Sequence, residues 1–273
     1  MGIANVVETA LKVQNSVIDR FAPLDAEFVD PTTMPWIRRV EDALPVLQDE
    51  LGTLMRSQAG LPSMASLSDR QEGMGGSSWQ SFVMRMYGNK VPTAAVLCPQ
   101  TYDLVNSISE IDTAMFSVLQ PGAEIETHCG PSKAELRYHL PLVVPSTDPE
   151  VCGLRVGETV QAWEVGKSVL FDDTVDHAAW NRSAGIRVVL FIGCRRPMPA
   201  PLAQIIDRLT SIATKGHPDV AEILEKSQAD HRRIVGHVLK GSSGDYIDLT
   251  DSANENRRRL EASELGAAVH QQA

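Results

Sequence analysis

Residues 153–193 read GLRVGETVQAWEVGKSVLFDDTVDHAAWNRSAGIRVVLFIG, and this stretch decides the fold class. Within it, short runs rich in β-branched and aromatic residues alternate with the turn formers Gly, Asp and Ser. Four of these runs predict strands: Gly153–Val156, Thr159–Trp163, Ser168–Phe171 and Arg187–Gly193. No long helical pattern separates the runs, whereas a parallel sheet would need crossover helices between its strands. Closely spaced strands of this kind predict a sandwich or barrel.

The β-rich texture extends upstream and covers residues 79–197. Three further runs predict strands at Ser81–Tyr87, Ala114–Leu119 and Leu136–Val144. Pro, Gly and Asp punctuate the whole region, as expected for short strands joined by turns. We therefore predict a fold that is mainly β with flanking helices.

Helical patterns occupy both flanks of the β-rich region. Apolar residues recur at helical spacing before Pro23, in a second helix over Leu44–Met55, and again after Pro197. The stretch Gly60–Ser78 is rich in Gly, Ser and Met and predicts a loop. Residues after Gly241 are polar and predict a mobile tail. The predicted division is N-terminal helices and loop packed on the core (1–78), a β core that carries the chemistry (79–197), and a C-terminal helical extension (198–273).

Charge and composition exclude several classes of function. The 273 residues carry 25 Lys and Arg against 35 Asp and Glu, a formal net charge of −10, which disfavours polymeric nucleic acid as a partner. No apolar run reaches the roughly 18 residues of a membrane span, and no signal-peptide pattern opens the chain. The four cysteines form no CxxC pair, which argues against a zinc knuckle or a disulfide framework. We expect a soluble cytoplasmic protein without a membrane partner.

Two of the seven histidines occur where strands and turns meet. His128 lies in the sequence ETHCGP, and His177 ends the sequence FDDTVDH. Two imidazoles on neighbouring strand ends can converge on one ion, and imidazole suits iron, zinc, copper or nickel. The simpler alternative is two histidines that only hydrogen-bond locally. Gly130, two residues after His128, offers no carboxylate, so such a metal would have two protein ligands and an extra open position. We predict that the four histidines of the helical regions lie on the solvated surface: His217, His231, His237 and His270.

Two arginines begin otherwise apolar strands. Arg137 opens the sequence RYHLPL, and Arg187 opens the sequence RVVLFI. A buried guanidinium is costly unless it is paired. One interpretation is an ion pair with an acid such as Asp172, Asp173 or Glu164. The other interpretation is a guanidinium fork that binds a dicarboxylate cosubstrate through two hydrogen bonds. We favour it because the two arginines flank the two histidine motifs in the same order along the chain.

These segments together resemble the catalytic domain of the aspartyl/asparaginyl β-hydroxylase family of iron- and 2-oxoglutarate-dependent oxygenases. The resemblance runs from Phe116 to Pro197, and its motifs are specific when they are taken together. Looser similarity extends upstream at Met34–Trp36 and from Trp79 to Pro99. The segments that carry it are FSVLQPG (116–122), HCGPS (128–132), LRYHL (136–140), WEVGK (163–167), FDDT (171–174), HAAWN (177–181) and RVVL (187–190).

The resemblance implies a double-stranded β-helix core, a jelly roll of the cupin-like type, and the cofactors Fe(II), 2-oxoglutarate and O2. It assigns the metal ligands to His128 and His177. Gly130 is ordinary for the family, and Asp173 matches a carboxylate that holds an iron-bound water. The positions that match cosubstrate contacts are Ser117, Arg137, His139 and Arg187.

We predict hydroxylation of an unactivated C–H bond in a small metabolite. At Glu135 the chain has an acid where the family's hydroxylase of epidermal-growth-factor domains has a basic residue facing an acidic substrate, which argues against a protein substrate. One alternative is a halogenase of natural-product biosynthesis, with chloride beside Gly130 and a nucleotide or amino acid as substrate. A non-catalytic cupin-like binding module is a second alternative. Zinc hydrolysis is disfavoured because no carboxylate is placed as a third ligand.

Overall fold

The computed structural model describes residues 3–22, 26–57, 59–67, 76–215 and 218–242. The helices are α1 (Ile3–Phe21), α2 (Ile37–Asp42), α3 (Leu44–Arg56), α4 (Met64–Leu67), α5 (Pro99–Asn106), α6 (Ala200–Lys215) and α7 (Pro218–Ser242), with 3-10 turns at Pro31–Thr33, Gly76–Ser78 and Pro92–Val96. The strands are β1 (Phe28–Val29), β2 (Trp79–Met86), β3 (Asn89–Lys90), β4 (Ile111–Leu119), β5 (Ala123–His128), β6 (Glu135–Val143), β7 (Cys152–Val156), β8 (Thr159–Ala162), β9 (Val169–Phe171), β10 (His177–Asn181) and β11 (Arg187–Arg195).

The strands form two antiparallel sheets. The larger sheet has the order β1-β9-β6-β11-β4-β2-β3, and the smaller has the order β5-β10-β7-β8. Chain neighbours such as β5 and β6 lie in different sheets, so the chain crosses repeatedly between the two layers. This is the jelly-roll, cupin-like arrangement, and the prediction of a mainly β fold with flanking helices is confirmed.

Strand β11 shows why the larger sheet is buried on both faces. Its side chains alternate between the faces, as the period of a strand requires. Val188 and Leu190 join the apolar cluster that includes α2 and α3 residues, whereas Val189 joins the cluster between the two sheets. Residues at 187, 189 and 191 therefore face the interior of the jelly roll. A strand buried on both faces is continuously apolar, which explains the run VVLFI.

The two strands that carry the histidines of the predicted metal site differ from the sequence expectation. His128 ends β5 as predicted for a strand end, but His177 begins β10 instead of following a strand. Strand β10 contains two alanines and an asparagine, which are weak strand formers. Pairing with β5 on one side and β7 on the other holds it in the sheet. Tertiary pairing has overridden local preference here.

The flanking segments also depart from the expectation in places. The stretch predicted as a loop contains helix α4 and the 3-10 turn at Gly76–Ser78, while residues 68–75 lie outside the described part. Strand β1 pairs with β9, so the predicted N-terminal segment contributes an edge strand to the larger sheet. Pro23 and the predicted tail beyond residue 242 lie outside the described residues. Among the helices described, none has the length and apolar character needed to cross a membrane.

Helix α7 is attached to the core through His231, which the sequence predicts to be solvated. The imidazole is only 1% exposed, stacks on Phe82 with ring centroids 4.2 Å apart, and places Nδ1 2.9 Å from the Thr93 hydroxyl. The prediction of a surface position is wrong for this residue, because α7 turns it towards β2. His237 is exposed as expected, and His217 and His270 lie outside the described residues.

We expect His231 to make folding stability pH-dependent. Burial lowers its pKa to about 3, whereas the unfolded chain binds a proton near 6.5. The contribution of the neutral imidazole is therefore complete above pH 6.5 and declines as the pH falls from 6.5 towards 3. Linkage gives a loss of about 2 kcal/mol at pH 5. Urea unfolding at pH 7.5 and 5 should show a loss of stability that is about 2 kcal/mol smaller in His231→Phe than in the wild-type protein and in His237→Ala. Equal pH dependence in all three proteins would contradict the assignment.

Candidate metal and cosubstrate site

His128 and His177 lie next to each other on neighbouring strands of the smaller sheet. They are register partners of β5 and β10, and their ring centroids lie 4.1 Å apart. Nδ1 of His128 lies 2.8 Å from the carbonyl oxygen of Glu126, and Nδ1 of His177 lies 2.9 Å from that of Val175. Because a carbonyl only accepts, each Nδ1 carries a hydrogen, which leaves Nε2 as the ring nitrogen that can bind a cation.

This pair of imidazoles has the chemistry of a metal site. Burial, followed by the neighbouring His128, lowers the pKa of His177 to about 4, so His177 is neutral at physiological pH. Two adjacent imidazoles with their Nδ1–H groups tied to backbone carbonyls are ready to donate both Nε2 lone pairs to a cation. Within the described ranges, no group of three or more His, Cys, Asp and Glu side chains is placed to hold a metal. The donor set at this position is two histidines, and it fits a divalent iron that takes its other ligands from small molecules.

Asp173 fills the space beside Gly130. The two residues are joined by a 2.6 Å hydrogen bond from the Gly130 amide to the Asp173 carbonyl, and a Cβ at position 130 would overlap the Asp173 carboxylate. The glycine therefore admits this neighbouring carboxylate.

Arg137 is held by two carboxylates. Its Nη1 lies 2.8 Å from Glu135 Oε2, and its Nε lies 2.8 Å from Asp173 Oδ2. Burial opposes the charged guanidinium, but Asp173 and Glu135 raise the pKa of Arg137 above its ordinary value. Gly193 on β11 makes room for this group, since a Cβ there would lie 2.5 Å from Arg137 Nη1. Arg137 thus follows the ion-pair interpretation, with Asp173 as the expected partner and Glu135 as an unexpected one.

Glu135 has a different role from the one its sequence position predicts. It is 8% exposed, its carboxylate is directed at Arg137, and burial raises its pKa. An acid buried in this way does not face a substrate. Glu135 therefore does not exclude a protein substrate, contrary to the expectation from its sequence position.

Arg187 is a buried cation without a carboxylate. Only 1% of the residue is exposed, and no acid of the described chain lies within ion-pair distance. The guanidinium lies over the Trp163 ring at 4.6 Å and 3.5 Å from the carbonyl oxygen of Ser117, and its Nε has no hydrogen-bond partner. Burial lowers the pKa of Arg187 to about 10, which leaves it charged at neutral pH. A buried charge in this state calls for an anionic ligand.

Two further polar groups share the interior with Arg187. Both ring nitrogens of His139 are buried and lack a partner, and burial and then Arg187 lower the pKa of His139 well below its usual value. The Ser117 hydroxyl accepts a 3.0 Å hydrogen bond from Trp79 Nε1, so its own hydrogen remains to be donated. A dicarboxylate such as 2-oxoglutarate would supply the acceptors that Arg187, His139 and Ser117 lack.

The geometry separates the sequence-predicted residues into two groups. His128, His177, Gly130 and Asp173 meet at one end of the jelly roll, and the remaining four line the larger sheet: Ser117, Arg137, His139 and Arg187. The sequence analysis missed Gly193 and the pairing role of Glu135. A glycine inside an apolar strand signals close approach of another group, and Glu135 and Arg137 are two residues apart, so they share one strand face. Both signals were present in the sequence.

Known proteins resemble this chain over a range that includes the β core. The family model described as aspartyl/asparaginyl beta-hydroxylase matches residues 41–197, more than half of the chain. The ornithine lipid ester-linked acyl 2-hydroxylase of Rhizobium tropici is 34% identical over 173 residues, which cover 63% of this chain and 61% of that protein. The aspartyl/asparaginyl beta-hydroxylase of Mus musculus is 27% identical over 170 residues, covering 60% and 22%. The human aspartate beta-hydroxylase domain-containing protein 2 is 33% identical over 150 residues, covering 52% and 38%.

In each relative the match spans less than two thirds of that protein's own length. The matched residues of this chain include both metal-site histidines, Asp173 and both arginines. The family resemblance read from the sequence is therefore confirmed by the family match and by the names of these relatives. The chain belongs to the aspartyl/asparaginyl β-hydroxylase family.

Proposed function

We propose that the protein is an Fe(II)- and 2-oxoglutarate-dependent hydroxylase of a C–H bond in a small molecule. The observation that carries the proposal is Arg187, a buried cation with no acid of the described residues within ion-pair distance. It lies in the same jelly roll as the paired His128 and His177. A structural arginine in this interior would be expected to have an acidic partner, as Arg137 has. Arg187 lacks one, and a ligand carboxylate would supply it.

Each residue has a defined task in this proposal. His128 and His177 hold the iron through Nε2, with their ring orientations set by the carbonyl groups of Glu126 and Val175. Bound iron, 2-oxoglutarate and O2 supply the oxidising power, and the protein supplies binding and orientation. Arg187 binds the distal carboxylate of the cosubstrate, with Ser117 and His139 donating hydrogen bonds beside it. Arg137 acts indirectly, since its Nε and Nη1 hold Asp173 and Glu135 and thereby fix the carboxylate beside Gly130.

Hydroxylation is favoured over halogenation and over a non-catalytic binding role. None of the relatives reported above is named as a halogenase. The relatives reported above are named as hydroxylases, which supports a catalytic protein over a binding module.

An acyl lipid is the substrate class that we favour among small molecules. The name of the Rhizobium relative specifies 2-hydroxylation of an ester-linked acyl chain in ornithine lipid.

The test is product analysis with purified protein. We expect incubation with Fe(II), 2-oxoglutarate, labelled O2 and ornithine lipid or another acyl lipid to yield succinate and a product that carries one labelled oxygen atom. The oxygenated product should persist in high chloride, and reactions that lack Fe(II) or 2-oxoglutarate should give neither product. A chlorine isotope pattern without an alcohol would contradict hydroxylation. Succinate formation with no acyl lipid but with a polar metabolite would refute the substrate class alone.

A further inference from the structure

Helices α1 and α6 meet at two points and run in opposite directions. Gln14 Nε2 lies 3.5 Å from the Thr210 hydroxyl, and Ile18 and Ile206 share a small apolar cluster with Ala134. The chain thus runs from residue 14 to 18 on α1 while it runs from 210 to 206 on α6. Both helices place acids on the side facing the rest of the protein: Asp19 pairs with Lys133, and Asp207 pairs with Arg195.

The opposite side of the helix pair exposes apolar residues. In an antiparallel pair, the residue one position before each contact residue points to the same side of the pair on both helices. This is so because, viewed from one end of the pair, successive residues advance clockwise on one helix and anticlockwise on the other. Those positions are Val13 and Val17 on α1, and Ile205 and Leu209 on α6. Val13 is 59% exposed, Ile205 58% and Leu209 46%. Phe21, one turn beyond Val17, is 66% exposed, so four large apolar side chains face solvent on one outward surface.

Basic residues border this apolar surface. Lys12 and Arg20 lie on the outer flank of α1, and Arg208 lies on the outer flank of α6, all of them exposed. The apolar and basic side chains of α1 adjoin on one open face of the helix, which includes Val13, Val17, Arg20 and Phe21. The acids Asp19 and Asp207 are already engaged by cations on the other side. A chain with a net charge of −10 thus presents here a surface that is apolar in the middle and positive at its edges.

We propose that this face of α1 and α6 docks onto an anionic lipid bilayer surface. Amphipathic helices with apolar centres and Lys or Arg edges lie in the interfacial region of membranes, and anionic lipids attract the basic edge. A second copy of the same chain is a poorer partner, because two copies of a positive rim would repel each other. This proposal replaces the expectation that no membrane takes part.

The docking face is directly linked to the candidate site. Asn15 donates a 3.0 Å hydrogen bond to the Pro131 carbonyl and accepts a 2.9 Å hydrogen bond from the Lys133 amide, and Gln14 donates to Ser132 at 3.0 Å. These contacts hold the loop that immediately follows His128 and Gly130. A bilayer bound by the outward face of α1 would therefore lie one helix diameter (~10 Å) from this loop, on the other side of the helix. Docking extends the proposed function, but it is measured without turnover, so the two can fail separately.

Vesicle co-sedimentation tests the docking proposal. The full chain should bind vesicles of mixed phosphatidylcholine and phosphatidylglycerol more tightly than vesicles of phosphatidylcholine alone, and added salt should weaken this binding. The double variant Val13→Asp/Leu209→Asp should lower the partition coefficient at least about tenfold, because two apolar contacts are lost. Arg20→Gln and Arg208→Gln should each lower it about fivefold on anionic vesicles.

Exposed apolar residues elsewhere give a matched control. Val165→Asp changes a residue of similar exposure on the β-rich part of the chain and should leave vesicle binding unchanged. Circular-dichroism melting should show that all variants keep the wild-type fold. Equal partition of wild type and Val13→Asp/Leu209→Asp, or no binding to anionic vesicles, would overturn the proposal. A wild-type dimer that this double variant converts to a monomer, measured by light scattering, would instead identify the face as an interface between copies.

Discussion

Replacement of either His128 or His177 by alanine should reduce iron-dependent succinate formation by about two orders of magnitude or more. Loss of a residue that only supports a metal ligand already costs about 10–100-fold, and a site with two protein ligands retains a single imidazole after either change. The fold should survive, because both side chains lie at strand ends and β10 stays paired with β5 and β7 through backbone hydrogen bonds.

Metal binding gives a second measurement that does not depend on turnover. Anaerobic titration with Fe(II) should show one tight site in the wild-type protein and none in either variant. His237→Ala, on the exposed side of α7, is the matched control and should behave like wild type in both measurements. If His128→Ala and His177→Ala each bound iron as fully as the wild-type protein, the paired imidazoles would not be the ligands.

Arg187→Gln should weaken 2-oxoglutarate binding by about 2–4 kcal/mol, a factor of about 30 to 1,000 in the dissociation constant. The change removes charge-assisted hydrogen bonds from a fully buried position, where they are strongest. The ligand-free protein should melt at the wild-type temperature or above it, since the substitution also removes an unpaired buried charge. A purely structural arginine would give the opposite pattern, with lower stability and unchanged 2-oxoglutarate affinity.

Calorimetric titration of 2-oxoglutarate and thermal melting distinguish these outcomes. Arg182→Gln is a suitable control because Arg182 forms an exposed ion pair with Glu124 at 2.7 Å and lies five residues earlier in the chain. The control should bind 2-oxoglutarate as the wild type does, and its stability should change by less than about 1 kcal/mol. Unchanged 2-oxoglutarate affinity in Arg187→Gln would remove Arg187 from the proposed site.

Local sequence patterns predicted much of the fold for identifiable reasons. The β-branched run of β11 and the apolar runs of β4 and β6 have strong strand preference and lie in the centre of the larger sheet, so local and tertiary preferences agree. Strand β10 lacks such a preference and forms because strands on both sides pair with it. Helix α4 is only four residues long, too short for the periodicity of a helix to be visible.

The sequence by itself determined the fold class, the family and the identity of the paired histidines, because alternation, turn residues and motif spacing are local properties of the chain. Only the tertiary structure showed that Arg137 and Arg187 have different surroundings. Both open apolar strands, yet Arg137 meets Glu135 and Asp173, while Arg187 meets a tryptophan ring and no acid of the described chain. The structure likewise placed the Asp173 carboxylate beside Gly130. Which side chains meet depends on strand register and on how the two sheets pack, and both are set by contacts between residues far apart in sequence.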